Sequence, residues 1–322
     1  MEVNELMSLF RKAEETKSGV KVLAYGGTGS GKTTFALTFP KIVAIDSEDG
    51  MAFYKSNPNL QYILNTTSAD EVEEALEEIE SDLMDSINSF VLDSMTKVYD
   101  NMQLSGLNVA EKRARKKGES VDDANISQRE WGKIKLVTKR IQSTQIMLAS
   151  KGINVVTIAQ QKDIKEKKGD NWVVVGYAPD VAKGLEFDYD VILRFFTEKE
   201  GKNGEEVYKA EVLKDRTQTY KKNQIIENPS FENWKSVYTK SSTLKENVID
   251  FKKDIQKDEI KMTSELETME GVIKEFKTTM KDLTKENQVK VAKLLKEKSI
   301  DNPLKTDNLE GMLEVMDFIR AL

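Results

Sequence analysis

Gly26-Gly27-Thr28-Gly29-Ser30-Gly31-Lys32-Thr33-Thr34 fits the pattern G-x-x-x-x-G-K-[ST], with Gly26, Gly31, Lys32 and Thr33 at its fixed positions. The run before it, Val20-Lys21-Val22-Leu23-Ala24-Tyr25, is β-rich, and the run after it, Thr34-Phe35-Ala36-Leu37-Thr38-Phe39, is apolar and stops at Pro40. Strand, glycine loop and helix in that order predict an α/β fold. Such a loop turns its backbone N–H groups inward around a polyphosphate, and a helix N-terminus behind it adds positive potential. Every residue from Gly26 to Thr34 is therefore a candidate nucleotide contact. Lys32 is placed to neutralise the outer phosphates, and the Thr33 hydroxyl to join a Mg²⁺ shell.

Composition narrows the chemistry available. The chain has 322 residues, 39% hydrophobic and 32% charged, which suits a charge-rich globular protein with a core. It contains no Cys and no His. Disulfides, thiolate metal sites and imidazole bases are thereby excluded, and a reducing cytoplasm is the expected setting. Catalysis must run on carboxylates, Lys, Arg, hydroxyls and Mg²⁺. No apolar run approaches the roughly 18 residues of a membrane span, and no signal pattern is seen. The net charge of −6 does not announce a nucleic-acid binder, so that case rests on local patches.

Downstream of the glycine loop, two apolar strands end in acids. Ile42-Val43-Ala44-Ile45 runs into Asp46-Ser47-Glu48-Asp49, and strand ends on this side of an α/β sheet face the ligand crevice. Glu48 is a candidate general base for water, or part of a polar turn. Ser89-Phe90-Val91-Leu92-Asp93-Ser94 reads as a buried strand whose Asp93 would hold Mg²⁺, with Ser94 hydrogen-bonding nearby. Between them Ser68 and Glu71 form a capping box for a helix with Val72, Ala75, Leu76, Ile79 and Leu83 on one face. Ile134, Leu136, Val137, Ile141, Ile146 and Met147 mark a long helix, followed by a core strand, Gly152 to Gln161. Gln160, near its end, either senses the γ-phosphate or caps the strand.

Two Lys-rich segments stand apart. Residues 101–130 are polar without clear period and contain Lys112, Arg113, Arg115, Lys116 and Lys117, which read as a solvated loop or helix end, or as a nucleic-acid contact. The stretch from Lys162 to Trp172 carries Lys162, Lys165, Lys167 and Lys168 and reads as a surface hairpin, or as a mobile loop pairing phosphate attraction with base stacking by Trp172. Residues 190–196 and 207–213 form a further hairpin, after which Lys214 and Arg216 project the same way from an extended segment. They are surface charges, or cations that reach a phosphate across a subunit boundary.

At the N-terminus, Val3, Leu6, Met7, Phe10 and Ala13 mark a short amphipathic helix that packs on its own core or docks on a neighbouring subunit. At the other end, residues 236–262 read as a polar linker, and 263–322 as a small all-α module of three helices. Leu266, Met269, Ile273, Phe276 and Met280 mark the first helix. Val289, Ala292 and Leu295 mark the second, capped by Thr284. Leu309, Met312, Leu313, Met316 and Ile319 mark the third, capped by Thr306.

Taken together, the glycine loop, Ile45-Asp46-Ser47-Glu48, Leu92-Asp93-Ser94, Thr157-Ile158-Ala159-Gln160 and Lys214-Asp215-Arg216 resemble the RecA-like P-loop ATPase core over roughly residues 15–235. The resemblance is narrower to the short RecA-like recombinases of bacteriophages. It implies a core of residues 1–235 with a central, mostly parallel sheet, ATP and Mg²⁺ as cofactors, and Glu48 as the catalytic carboxylate. Gln160 would couple nucleotide to DNA, and Lys214 and Arg216 would act on a neighbour's ATP in a ring or filament. The two Lys-rich segments fall where that family binds single-stranded DNA, which implies recombination by annealing or strand exchange, or loading with a single-stranded-DNA-binding protein, in the host cytoplasm. Gln161 after Gln160, the length of the first basic segment and the C-terminal helices depart from that pattern. A helicase-type motor, or a nucleotide-gated adaptor that recruits a partner through the C-terminal helices, would suit the same motifs. Phe53 and Tyr54 are candidates to stack on the base.

Overall fold

The computed structural model describes residues 16–200, 204–241, 245–246, 249–266 and 268–320. The expected N-terminal helix lies outside them. Contacts divide the chain into two compact units, Met1–Ile249 and Asp250–Leu322.

In chain order the first unit contains β1 (Thr16–Lys17), β2 (Lys21–Gly26), α1 (Lys32–Ala36), β3 (Ile42–Asp46), β4 (Leu60–Asn65), α2 (Ala69–Glu78), β5 (Ser89–Asp93), α3 (Met95–Lys117) and α4 (Gln128–Ser150). It continues with β6 (Asn154–Lys168), β7 (Asn171–Pro179), β8 (Val191–Glu200), β9 (Glu205–Asp215), β10 (Ile225–Glu227), α5 (Lys235–Ser241) and β11 (Lys245–Glu246). The main sheet runs β10-β9-β8-β2-β6-β5-β3-β4. The strands from β8 to β4 are parallel, while β9 and β10 return antiparallel. The fold is thus α/β with a mostly parallel central sheet, as the strand–loop–helix reading implied.

Burial explains the apolar runs. Every residue of β3 and β5 is buried, because the sheet is covered on both faces and its strands need no polar side. One face carries Val22, Ala24, Val156, Leu193 and Phe195 into a core with Phe35, Phe39, Phe231 and Trp234. Phe35 meets Trp234 edge-on at 6.2 Å, and Phe39 meets Phe231 at 5.0 Å. The other face is covered by helices, with α3 and α4 lying on β6.

The structure decides between the readings left open at two segments and departs from the reading of a third. The basic segment at 112–117 belongs to α3, which continues unbroken from Met95 to Lys117 and ends at Gly118 in the left-handed region (φ 72°). The Lys-rich stretch after Gln160 takes the surface-hairpin reading: β6 runs 15 residues, and from Gln161 to Lys168 it pairs antiparallel with β7 as a two-stranded ribbon. Within 236–262, read as linker, lie most of α5 and of α6 (Phe251–Leu266).

The second unit adds α7 (Met269–Asp282), α8 (Lys285–Glu297) and α9 (Leu309–Arg320) around Phe276, Val291, Leu295, Met312 and Met316. Thr284 caps α8 as expected. The buried face of α8 is Val291 and Leu295, however, while Val289 is 69% exposed. Asn308 rather than Thr306 caps α9, its Oδ1 accepting from Gly311 N at 2.9 Å.

Candidate nucleotide site

The phosphate loop begins where β2 leaves the sheet, with Gly26 opposite Phe195 on β8 and Gln160 on β6. A Cβ on Gly26 would lie 2.3 Å from the Phe195 carbonyl oxygen, so only glycine fits there. Gly29 and Gly31 take φ of 73° and 91°, which curl the loop back on itself. Ser30 Oγ donates to Gly27 O at 2.8 Å. Lys32 Nζ donates to Gly26 O at 3.1 Å and Gly27 O at 2.7 Å, holding the ammonium over the loop. Burial lowers the Lys32 pKa, against the opposing pull of Asp93 and Glu48. The helix that follows is short: α1 spans Lys32 to Ala36, so the loop amides and Lys32, more than a helix dipole, create the anion site.

Beside the loop, Thr33 Oγ1 donates to Asp93 Oδ2 at 2.6 Å. Asp93 is 5% exposed, and its pKa is pushed up to about 6 by burial, with Glu48 and Asp46 adding to the shift and the Thr33 hydrogen bond and Lys32 opposing it. A hydroxyl and a carboxylate in contact are a hard-oxygen pair of the kind Mg²⁺ takes when phosphates and waters complete its shell. No cluster of three or more acidic, His or Cys residues able to hold a metal occurs among the described residues. That donor set suits an ion that arrives with a triphosphate.

Glu48 stands across from this pair. Its Oε1 accepts from Ser94 Oγ at 2.7 Å and from Gln160 Nε2 at 2.8 Å. The chain thus brings together Lys32, Thr33, Glu48, Asp93 and Gln160, which lie on four different segments. β6 sits between β2 and β5, which puts Gln160 between the phosphate loop and Asp93.

Several supporting residues carry no role in the sequence reading. Asp46 is 1% exposed and caps the turn that carries Glu48, accepting from Glu48 N at 3.1 Å, Gly50 N at 3.2 Å and Met51 N at 2.7 Å. Ser47 Oγ accepts from Ser94 N at 2.8 Å and donates to Ser94 O at 3.0 Å, tying the ends of β3 and β5 together. Thr96 Oγ1 accepts from Gln160 N at 2.9 Å and donates to Asp180 O at 2.8 Å, clamping both strands at the foot of the ribbon. The repeated Asp-Ser at two strand ends was the visible signal for the second of these ties.

Other candidates lie elsewhere. Asp215, the last residue of β9, pairs with Val191, the first of β8, so Lys214 and Arg216 sit at the sheet edge opposite the phosphate loop. Lys214 Nζ donates to Phe187 O at 3.0 Å and Glu186 O at 3.3 Å, and an Arg216 N–H donates to Phe187 O at 3.3 Å. On α3, Arg113 pairs with Glu130 of α4, Arg115 with Glu111 at 3.4 Å and Lys117 with Glu119 at 3.8 Å, while Lys112 and Lys116 are exposed. On the ribbon, Lys162 pairs with Asp180 at 3.0 Å and Lys165 approaches Asp163 at 3.9 Å. Lys167 stands opposite Trp172, which is 68% exposed. Phe53 is 91% exposed on the turn after Glu48.

A glycine loop, a Thr–Asp pair and a carboxylate held by Ser and Gln around one crevice define a P-loop ATPase. Residues 18–225 match the family model of the AAA domain, and the chain belongs to that family. No curated protein matches it. Among solved structures it is similar to the RadB recombinase, at 16% identity and TM-score 0.42, over 66% of this chain and 87% of that one. It is also similar to the KaiC-like protein PH0186 of the hyperthermophilic archaeon Pyrococcus horikoshii OT3, at 17% identity and TM-score 0.38, over 66% of this chain and 90% of that one.

Proposed function

We propose that the chain is a Mg²⁺-dependent ATPase that acts on single-stranded DNA, annealing or exchanging strands in homologous recombination. The observation that carries this reading is β6. Within the main sheet it ends at Gln160, hydrogen-bonded to Glu48, and without a break it becomes the Lys-rich strand of the ribbon. Lys165 and Lys167 share a ribbon face with Val174 and Trp172, their cross-strand partners. Cations and an exposed indole on one face suit a phosphate backbone and a stacked base.

In the reaction, Glu48 takes a proton from water while the water oxygen bonds to the γ-phosphorus and the bond to the bridging β–γ oxygen breaks. Lys32 and the loop amides hold the phosphates, and Gln160, on the same Glu48 oxygen, registers the γ-phosphate. Mg²⁺, held by Thr33 and Asp93, would supply charge neutralisation of the phosphates. Lys214 and Arg216 complete the site of a neighbouring copy, since the edge they occupy is remote from their own loop. Lys162 and Lys168 add to the ribbon's charge. Lys112, Arg113, Arg115, Lys116 and Lys117 are a secondary contact, because three of the five are already paired.

The test is ATP turnover with and without single-stranded DNA, in the unsubstituted chain and in Lys32→Ala, Glu48→Gln and Trp172→Ala. Stimulation by single strands is expected, abolished in the first two variants and reduced about tenfold in apparent DNA affinity in the third. No stimulation and no DNA binding would sink the DNA reading. Attention would then turn to an adaptor role for the C-terminal unit, which has a core of its own.

A further inference from the structure

Phe187 is 70% exposed, a whole aromatic ring in water to which no step of the proposed hydrolysis gives a role. It rides on a single helical turn, Leu185–Asp188, and that turn is firmly seated. Leu185 is 2% exposed, and Gln142 Nε2 donates to Leu185 O at 3.3 Å and Asp188 Oδ2 at 3.0 Å. The carbonyl of Phe187 is the acceptor shared by Lys214, at 3.0 Å, and Arg216, at 3.3 Å.

We propose that Phe187 is the anchor by which one copy of this chain docks on the next, the partner being a second copy. The inference rests on the reading that Lys214 and Arg216 serve a neighbour's nucleotide. If Lys214 enters that site, a residue whose carbonyl lies 3.0 Å from its ammonium stands within a side chain's length of the neighbour's surface. Its ring then leaves water. The placement also fixes the kind of contact. Phosphate loop and cations lie at opposite edges of one sheet, so copies meet head to tail and not face to face. An aromatic ring on a seated turn, beside cations already held in place, has the make-up of a binding hot spot with little ordering left to do.

Sedimentation of the full-length chain across a concentration series, with Mg²⁺ and a non-hydrolysable ATP analogue, tests this. Phe187→Ala is expected to raise the concentration of half-assembly at least about tenfold, and Phe187→Leu to recover most of the loss. Binding of a fluorescent ATP analogue to the dilute chain stays unchanged, because Phe187 is far from its own loop. Assembly of Phe187→Ala at the unsubstituted concentration overturns the anchor and leaves the trans reading standing. An unsubstituted chain that stays monomeric throughout, with nucleotide bound, overturns both.

Discussion

Ser94 shows how one hydroxyl can set the posture of the carboxylate proposed to activate water. Its Oγ donates to Glu48 Oε1 at 2.7 Å while its backbone N–H is held by Ser47, so the donor cannot follow Glu48 if that side chain swings away. Ser94→Ala should lower kcat about tenfold, the worth of one hydrogen bond to a charged group, with KM for ATP nearly unchanged. An unaltered kcat would reduce Ser94 to a structural tie. At this scale the sequence was informative wherever chemistry demands a residue type at a fixed spacing, as in Gly26, Gly31, Lys32 and Thr33. Glu48 and Asp93 were legible as acids at strand ends. What could not be read was the wiring among them. The bonds from Thr96 to Gln160, and from Gln160 to Glu48, join residues that sequence spacing does not pair.

Among the elements, α3 was hidden by its own packing. From Val98 onward its buried positions, Val98, Met102, Gly106, Ala110 and Ala114, recur every fourth residue, but the last three are too small to register as an apolar stripe. The ribbon could not be told from a loop for the opposite reason. Neither of its faces is buried, so β6 beyond Gln160 has no need to alternate. The join between α3 and α4 carries a pH dependence. Arg113 first, and Ser127 second, hold the Glu130 carboxyl down at about 2, well below its ordinary 4.5. A depressed carboxyl contributes stability that is present above the ordinary value and is lost as pH falls from there toward the folded value. Glu130→Gln should therefore lower the Tm at neutral pH, and the gap to the unsubstituted chain should close progressively below about pH 4.5. Melting curves for both chains between neutral pH and pH 3 check this; a gap that does not change with pH would detach Glu130 from the ion pair.

On the scale of the whole molecule, the sequence separated an α/β core from a helical end, but it drew a linker where α5 and α6 lie. Polar, charged composition marks an exposed helix as readily as it marks a loop, and Lys252 to Glu259 of α6 are all exposed. The proposed partnership between copies would leave a functional signature. Arg216→Ala and Lys214→Ala should each lower turnover at least about a hundredfold with ATP affinity preserved. Mixing Arg216→Ala with Lys32→Ala chains should restore activity, since each supplies what the other lacks; a mixture as inactive as its parts would end the trans assignment. If copies share sites as proposed, the opposed placement of loop and cations also sets the arithmetic of the assembly. An open row of n copies has n − 1 complete sites, because the loop at one end and the cations at the other find no neighbour, whereas a closed ring has n. On that proposal two chains together make one working centre. In dilute solution the rate should then climb with the square of chain concentration, and become proportional to it once long rows or rings prevail.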